Sequence, residues 1–155
     1  MMTTTVTIRR ARRDDVETIV KMLADDALGG PRERLENPLP ASYFAAFERV
    51  DRDPNLALVV AQGEGEAVVG CLQLCILPGL SSQGASRGLI EDVRVASHCR
   101  SQGIGEQLVQ WALAEARARG CKLVELLTHH SRVDAQRFYE RLGFARSHVG
   151  MTIRF

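Results

Sequence analysis

The residues with the clearest chemical potential stand in one run, Ile90-Glu91-Asp92-Val93-Arg94-Val95, followed by Arg100-Ser101-Gln102-Gly103-Ile104-Gly105. The first six read as a strand, the next residues as a tight polar loop, and a helix starts near Gly103 or Ile104. The two glycines let the backbone curve closely around a ligand, and the first helical turn carries N–H groups with no intrahelical partner. Together with the positive end of the helix dipole, these amides form a seat for an anion such as a pyrophosphate. Arg100 would add a charge-assisted contact to a phosphate oxygen. No Gly-Lys-Ser/Thr follows, and GxGxxG is incomplete, so neither a Walker loop nor a dinucleotide fingerprint is present. An ordinary glycine-bearing strand-to-helix turn fits the same residues, and the chemistry alone leaves the anion unidentified.

Several other side chains could move a proton. Glu91 and Asp92 are adjacent carboxylates that point to opposite sides of a strand unless a bulge intervenes. Tyr139 is one of only two tyrosines, and by itself reads as a half-buried core aromatic, as does Phe138. His129 and His130 follow Leu127 at a strand end, where a neutral imidazole can accept a proton or simply be solvated. The four cysteines, Cys71, Cys75, Cys99 and Cys121, form no CxxC pair. Cys71 and Cys75 lie in an apolar run, as small buried hydrophobes do. No cysteine has an assured basic partner, and His98 with Cys99 lacks further ligands, so no metal is expected.

The elements that must position these groups follow from periodicity. Val6 to Arg10 reads as a first strand. A helix starting at Asp14 or Asp15 carries Val16, Ile19, Val20 and Leu23 on one side and stops at Gly29-Gly30-Pro31. A short helix over Ser42 to Val50 turns Phe44 and Phe47 to the core. Strands are expected at Leu56 to Ala61 and Ala67 to Leu77, joined by a turn at Gly63 to Glu66. Pro78 to Gly88 lacks apolar periodicity and reads as a loop between core strands, a candidate substrate loop. Leu89 to Val95 is the next strand. The long helix after it faces inward with Ile104, Leu108, Trp111, Ala112 and Leu113 and ends at Gly120. A strand over Lys122 to Thr128, a helix over Val133 to Leu142 and strands around Phe144 to His148 and Met151 to Phe155 complete the chain. This order implies one domain over residues 1–155, an α/β fold with helices flanking a mixed central sheet.

Composition narrows the function classes. The 155 residues suffice for one core and carry a formal net charge of +1, with both signs spread along the chain. That argues against nucleic-acid binding. The start, Met1-Met2-Thr3-Thr4-Thr5, lacks the apolar segment of a secretory signal, and no run approaches a membrane span. A reduced, cytoplasmic protein is expected, with no membrane partner.

The chain resembles the GCN5-related N-acetyltransferase (GNAT) superfamily. Arg100-Ser-Gln-Gly103-Ile-Gly105 matches its [R/Q]xxGxG/A signature, behind a Glu-Asp-Val-Arg-Val strand. A second characteristic segment is matched by Asp134-Ala135-Gln136-Arg137-Phe138-Tyr139-Glu140-Arg141-Leu142-Gly143-Phe144, in the right order and separation. The likeness covers nearly the whole chain and is closest in flavour to the small-molecule branch that includes glucosamine-phosphate and aminoalkylphosphonate acetyltransferases. It implies a sheet in which two strands splay apart to admit the pantetheine arm of acetyl-coenzyme A, pairing with the backbone of Val93, Arg94 and Val95. The pyrophosphate would sit on the amides of Gln102, Gly103, Ile104, Gly105 and Glu106, where the side chains of Ser101 and Gln102 are free to vary. Within this likeness Tyr139 becomes the expected general acid for the departing thiolate, and Glu91 the favoured base for the incoming ammonium. Asp92, a histidine or water are alternatives for the base. An Asn that often contacts pantetheine is replaced here by Arg132.

The function implied is acetyl transfer from acetyl-coenzyme A to a primary amine of a small molecule, by direct attack in a ternary complex. Arg87, with Arg32 and Arg34, could recognise an acidic group on that amine. Acetylation of a protein or peptide N-terminus is a second reading, and a coenzyme A-binding regulatory protein without turnover a third. A homodimer formed through the apolar end, Val149 to Phe155, is compatible with the family's habits.

Overall fold

Apolar residues in the middle of the chain build a five-stranded sheet in the computed structural model, which describes residues 3–155. Its strands are β1 (Thr7–Arg10), β2 (Leu56–Gln62), β3 (Val68–Leu77), β4 (Arg87–Val95) and β5 (Leu123–Leu126), adjacent in sequence order. Met1 and Met2, part of the start read above as signal-free, lie outside the described residues. Neighbours from β1 to β4 are antiparallel, whereas β5 runs parallel to β4. A parallel neighbour needs a crossover, and the long helix α4 (Ile104–Ala118) supplies it.

β2 and β3 are almost continuously apolar because both sheet faces are covered. On one face Val59, Ala61, Leu72 and Leu74 join Ile104, Leu108, Val109, Ala112 and Ala116 of α4, with Phe138 of α5 (Val133–Arg141) packed alongside. On the other, Val60 and Cys71 meet Ile19 and Met22 of α1 (Val16–Ala24) and Phe47 of α2 (Ala41–Arg52). The expected mixed sheet with flanking helices is therefore present. Val109 and Ala116 are fully buried on α4, beyond the inward face read from the sequence; Trp111 and Leu113 are only partly buried beside them.

Gly70 decides how closely α4 approaches the sheet. A Cβ there would meet the Arg94 carbonyl oxygen at 3.0 Å, Leu108 Cδ1 at 3.1 Å and Ile104 Cγ2 at 3.3 Å. The start of α4 and the end of β4 thus nest into the space of a missing methyl group.

Before α1, Asp15 is the one buried charged residue among those described, 8% exposed. It accepts two hydrogen bonds from the Arg9 guanidinium and one from the Arg12 N–H. Burial pushes its carboxyl upward, but those bonds and the Arg9 charge outweigh it and hold the group below the usual carboxylate range.

Four expectations need correction. Helix α1 ends at Ala24, because the chain turns at Asp25 and Asp26, and Gly30–Arg32 forms a separate 3-10 turn. Phe44 leaves the core and lies under the Arg13 guanidinium, 4.4 Å from ring centroid to Cζ, which leaves only Phe47 inward. The loop after β3 is shorter than expected: α3 (Ser81–Gly84) is a tight turn with Ser82 and Gln83 at positive φ, and β4 already begins at Arg87. Residues 144–155 form no strand. Val149, Met151, Ile153 and Phe155 are left 90%, 90%, 79% and 114% exposed, since no neighbouring strand edge receives them among the described residues.

Candidate active site

The site begins where the sheet opens. β4 and β5 pair from Arg87↔Leu123 to Ile90↔Leu126 and then part. β5 stops at Leu126 while β4 continues to Val95, bonded only to β3. Backbone groups of 91–95 on the far side of β4 are therefore left without a strand partner. This is the splay implied by the family resemblance. A cleft of about 410 Å³ opens there, lined by Glu91 to Arg94, the chain from Leu126 to His129, and Ala135 and Tyr139 of α5.

A bulge in β4 sharpens the opening. Between Cys71↔Arg94 and Gln73↔Glu91 the register shifts, so Asp92 and Val93 together oppose Leu72, and Asp92 adopts a φ of 52°. Such an insertion bends the strand and re-aims its side chains. Both Glu91 and Asp92 consequently line the cleft. The bulge is the exception under which both can share a side, and the sequence does not locate it.

The anion seat lies at the end of the same strand. Gly103, the N-cap of α4, has φ 77°, and Ser101 has φ 61°. This left-handed turn presents the first amides of α4, and no side chain caps them. Gly105 serves packing: a Cβ there would touch Phe138 Cζ at 3.4 Å. The turn is braced from outside, since the Thr4 N–H donates to the Gln102 carbonyl oxygen at 3.1 Å and Gln107 Nε2 to that of Thr4 at 2.7 Å. Arg100, the expected phosphate contact, donates instead to the Val95 carbonyl oxygen and to Asp25, each at 3.4 Å.

These features fit a long phosphate-bearing thioester. The α4 amides are uncapped, the β4 edge is open, and Arg94, which lines the cleft, has a buried Nε with no hydrogen-bond partner.

Tyr139 unites the two roles weighed for it. Its ring packs edge-on against Phe138 and Phe144, at centroid distances of 5.0 and 5.8 Å, while the residue also lines the cleft. Burial raises its phenol above the ordinary value, and Arg94 and Arg132 pull the other way. The phenol is therefore protonated across neutral pH.

His129 reaches the cleft, but its Nδ1 accepts the Ser131 N–H at 3.3 Å and lies 2.7 Å from Ser131 Oγ. With that lone pair engaged, the imidazole is a weaker candidate base than Glu91 or Asp92. The two buried cysteines are chemically quiet. Burial pushes Cys71 up to about 12, and burial likewise raises Cys75, whose Sγ lies 3.8 Å from Glu91 Oε2. Neither supplies a thiolate nucleophile.

Of the arginines read as candidates for an acidic acceptor, Arg32 lines the cleft. Arg34 pairs with Glu36 and Arg87 with Glu125, both on the surface. No residue of the loop between β3 and β4 lines the cleft, so the candidate substrate loop is displaced by the turn around Leu28 and Arg32. Leu28, Thr128 and Arg154 also line the cleft, and no local sequence pattern marks them. Only Arg32 carried a signal, as a cation near a turn.

An open sheet edge beside an uncapped helix start, with a phenol and two carboxylates in one cleft, fits an acyl-transfer class of protein. Residues 18–144 match the acetyltransferase (GNAT) family, and the chain belongs to that family. It is 34% identical over 146 residues to the aminoalkylphosphonate N-acetyltransferase of Salmonella typhimurium, covering 94% of this chain and 88% of that protein. It is 37% identical over 81 residues to the glucosamine 6-phosphate N-acetyltransferase of Trypanosoma brucei brucei, 52% of each chain. Among solved structures, a protein described as a transcriptional regulator from Bacillus halodurans C-125 is 52% identical, with a TM-score of 0.94 over 97% of this chain and 100% of that one.

Proposed function

We propose that the protein transfers acetyl from acetyl-coenzyme A to the primary amine of a small molecule bearing an anionic group, by direct attack in a ternary complex. The observation that carries this reading is the open β4 edge ending at the uncapped α4 start, with Tyr139, Glu91 and Asp92 in the same cleft. In this reading the backbone of Val93, Arg94 and Val95 orients the pantetheine arm, and the turn from Arg100 through Ser101, Gln102, Gly103, Ile104, Gly105 and Glu106 holds the pyrophosphate. A β4 amide near Val93 polarises the thioester carbonyl. Glu91, or Asp92 beside it, takes a proton from the ammonium, which cannot attack while charged. The C–N bond forms as the C–S bond breaks, Tyr139 passes its proton to the departing sulfur, and the second proton lost by the acylated nitrogen restores the phenol.

The anionic group is supported by Arg32, Arg94, Arg132 and Arg154, which all line the cleft. It also agrees with the phosphonate and phosphate amines in the names of the two relatives.

The test is thiol release from acetyl-coenzyme A with aminoalkylphosphonates, amino-sugar phosphates, polyamines, amino acids and short peptides, with Tyr139→Phe in parallel. Release that depends on an anionic amine and collapses in the variant supports the proposal. Release with peptides alone replaces it by N-terminal acetylation. The name of the 52% identical structure supports a regulatory reading; tight acetyl-coenzyme A binding without turnover on any amine would favour that reading.

A homodimer is supported by the exposed apolar side chains at alternate positions from Val149 to Phe155. A sedimentation mass that stays monomeric at high concentration would exclude it.

A further inference from the structure

Helix α1 ends in two aspartates, Asp25 as C-cap and Asp26 next to it. Carboxylates at the negative end of a helix dipole are unfavourable, so some other contact must offset them. Each finds an arginine from a distant segment of the chain. The Asp25–Arg100 contact, at 3.4 Å with both side chains 55% exposed, is weak.

Asp26 is placed differently, with its side chain only 14% exposed. Its Oδ2 accepts a close hydrogen bond from Arg132 Nη2 and another from the Gly29 N–H at 2.6 Å, while its own carbonyl oxygen accepts the Gly30 N–H. One carboxylate thus folds its own turn and ties that turn to the N-cap of α5. The Arg132 hydrogen bond, the largest influence on it, keeps this carboxyl below the usual range. The turn leads directly to Leu28 and Arg32 on one wall of the cleft, and α5 brings Ala135 and Tyr139 to another. Among the described residues, Asp26–Arg132 is the one ion pair joining these walls.

We propose that Asp26 is a positioning residue for the acceptor pocket: acting through Arg132, it fixes Leu28 and Arg32 at a set distance from the helix that carries Tyr139. This rests on the acetyltransferase reading above. An Asn at position 26 keeps an oxygen for the Gly29 N–H but loses the charge, so the turn survives while its tie to α5 slackens. The effect falls on the acceptor more than on the pyrophosphate seat, because the α4 amides lie outside these walls.

The experiment compares Asp26→Asn with the unaltered protein, using aminomethylphosphonate as acceptor. The acceptor KM should rise about 5- to 20-fold, with the acetyl-coenzyme A Kd changed by less than about 2-fold. Asp26→Asn added to Arg132→Gln should cost nothing further, and Arg132→Lys should retain more activity than Arg132→Gln. Hydrogen exchange should quicken at residues 27–32 in Asp26→Asn and not across the sheet. An unchanged acceptor KM, an equal loss of acetyl-coenzyme A affinity, or additive effects in the double variant overturns the proposal. Should the unaltered protein acetylate no amine, the functional reading fails by itself. The exchange measurement then decides the clasp, which unchanged protection at residues 27–32 would overturn.

Discussion

The two sides of the cleft are made of different material. In the proposed reading, the cofactor side consists of backbone: the unpaired edge of β4 and the first amides of α4, shaped by Gly103 at φ 77° and the bulge at Asp92. The side assigned to the acceptor in that reading consists of side chains from segments far apart in the chain, with Arg32 after α1, Glu91 and Arg94 on β4, Tyr139 on α5 and Arg154 near the end. Backbone sites tolerate many side chains and are set by conformation, whereas side-chain sites are set by identity. One fold can thus keep its cofactor and change its acceptor.

Substitutions should divide along that line. The largest effect belongs to Tyr139→Phe, which should lower kcat by about 10²- to 10³-fold, within the range for lost proton transfer, and leave the acetyl-coenzyme A Kd unchanged in calorimetry. Retained turnover would end its role as acid. Because its phenol is raised above the ordinary value, the alkaline limb of kcat from this group should lie above about pH 10. Glu91→Gln should lower kcat/KM about 10- to 100-fold at neutral pH, and less in alkali where the amine deprotonates unaided. A larger loss in Asp92→Asn would move the base to that residue.

Smaller effects probe the cofactor side. Gly103→Ala should weaken acetyl-coenzyme A about 10-fold, since its left-handed φ disfavours a Cβ and that Cβ would lie 2.8 Å from Thr3 Cγ2. Ser101→Ala should change the same Kd by less than about 2-fold if backbone alone makes the seat. A large loss there would break the comparison.

The smallest signal is in acid. Asp15 is held below the usual carboxylate range, so its stabilisation is complete above the unfolded value of about 4 and fades as pH falls through the lower folded value. Asp15→Asn should flatten the decline of melting temperature over that window. An unchanged slope would mean that other carboxylates govern it.

The same contrast explains what the sequence could disclose. The strand, polar turn and helix from Ile90 to Glu106 were legible because glycines and periodicity report backbone conformation directly. The bulge was not, since no residue type demands it, and with it went the recognition that Glu91 and Asp92 share one cleft. Arg100 and Arg132 illustrate a second limit. Their partners, Asp25 and Asp26, stand 75 and 106 positions away, a separation that no local pattern spans. At the chain end, alternation around Met151 to Phe155 suggested strands. Alternation makes a segment competent to pair, but a strand forms only where its backbone bonds a neighbour, and residues 144–155 bond none although β5 is an edge strand.

Gly70 carries a consequence for anyone altering this protein. It does not line the cleft, yet Ile104, Leu108 and the Arg94 carbonyl all close on the space its side chain would fill. Position 70 therefore works as a gauge block. An alanine there takes a few tenths of an ångström from the Arg94 carbonyl and from the Ile104 and Leu108 side chains, so it bears on how α4 seats against the end of β4. Ligand affinity can be retuned from a residue that no ligand meets, and a library confined to cleft-facing positions would leave that dial unturned.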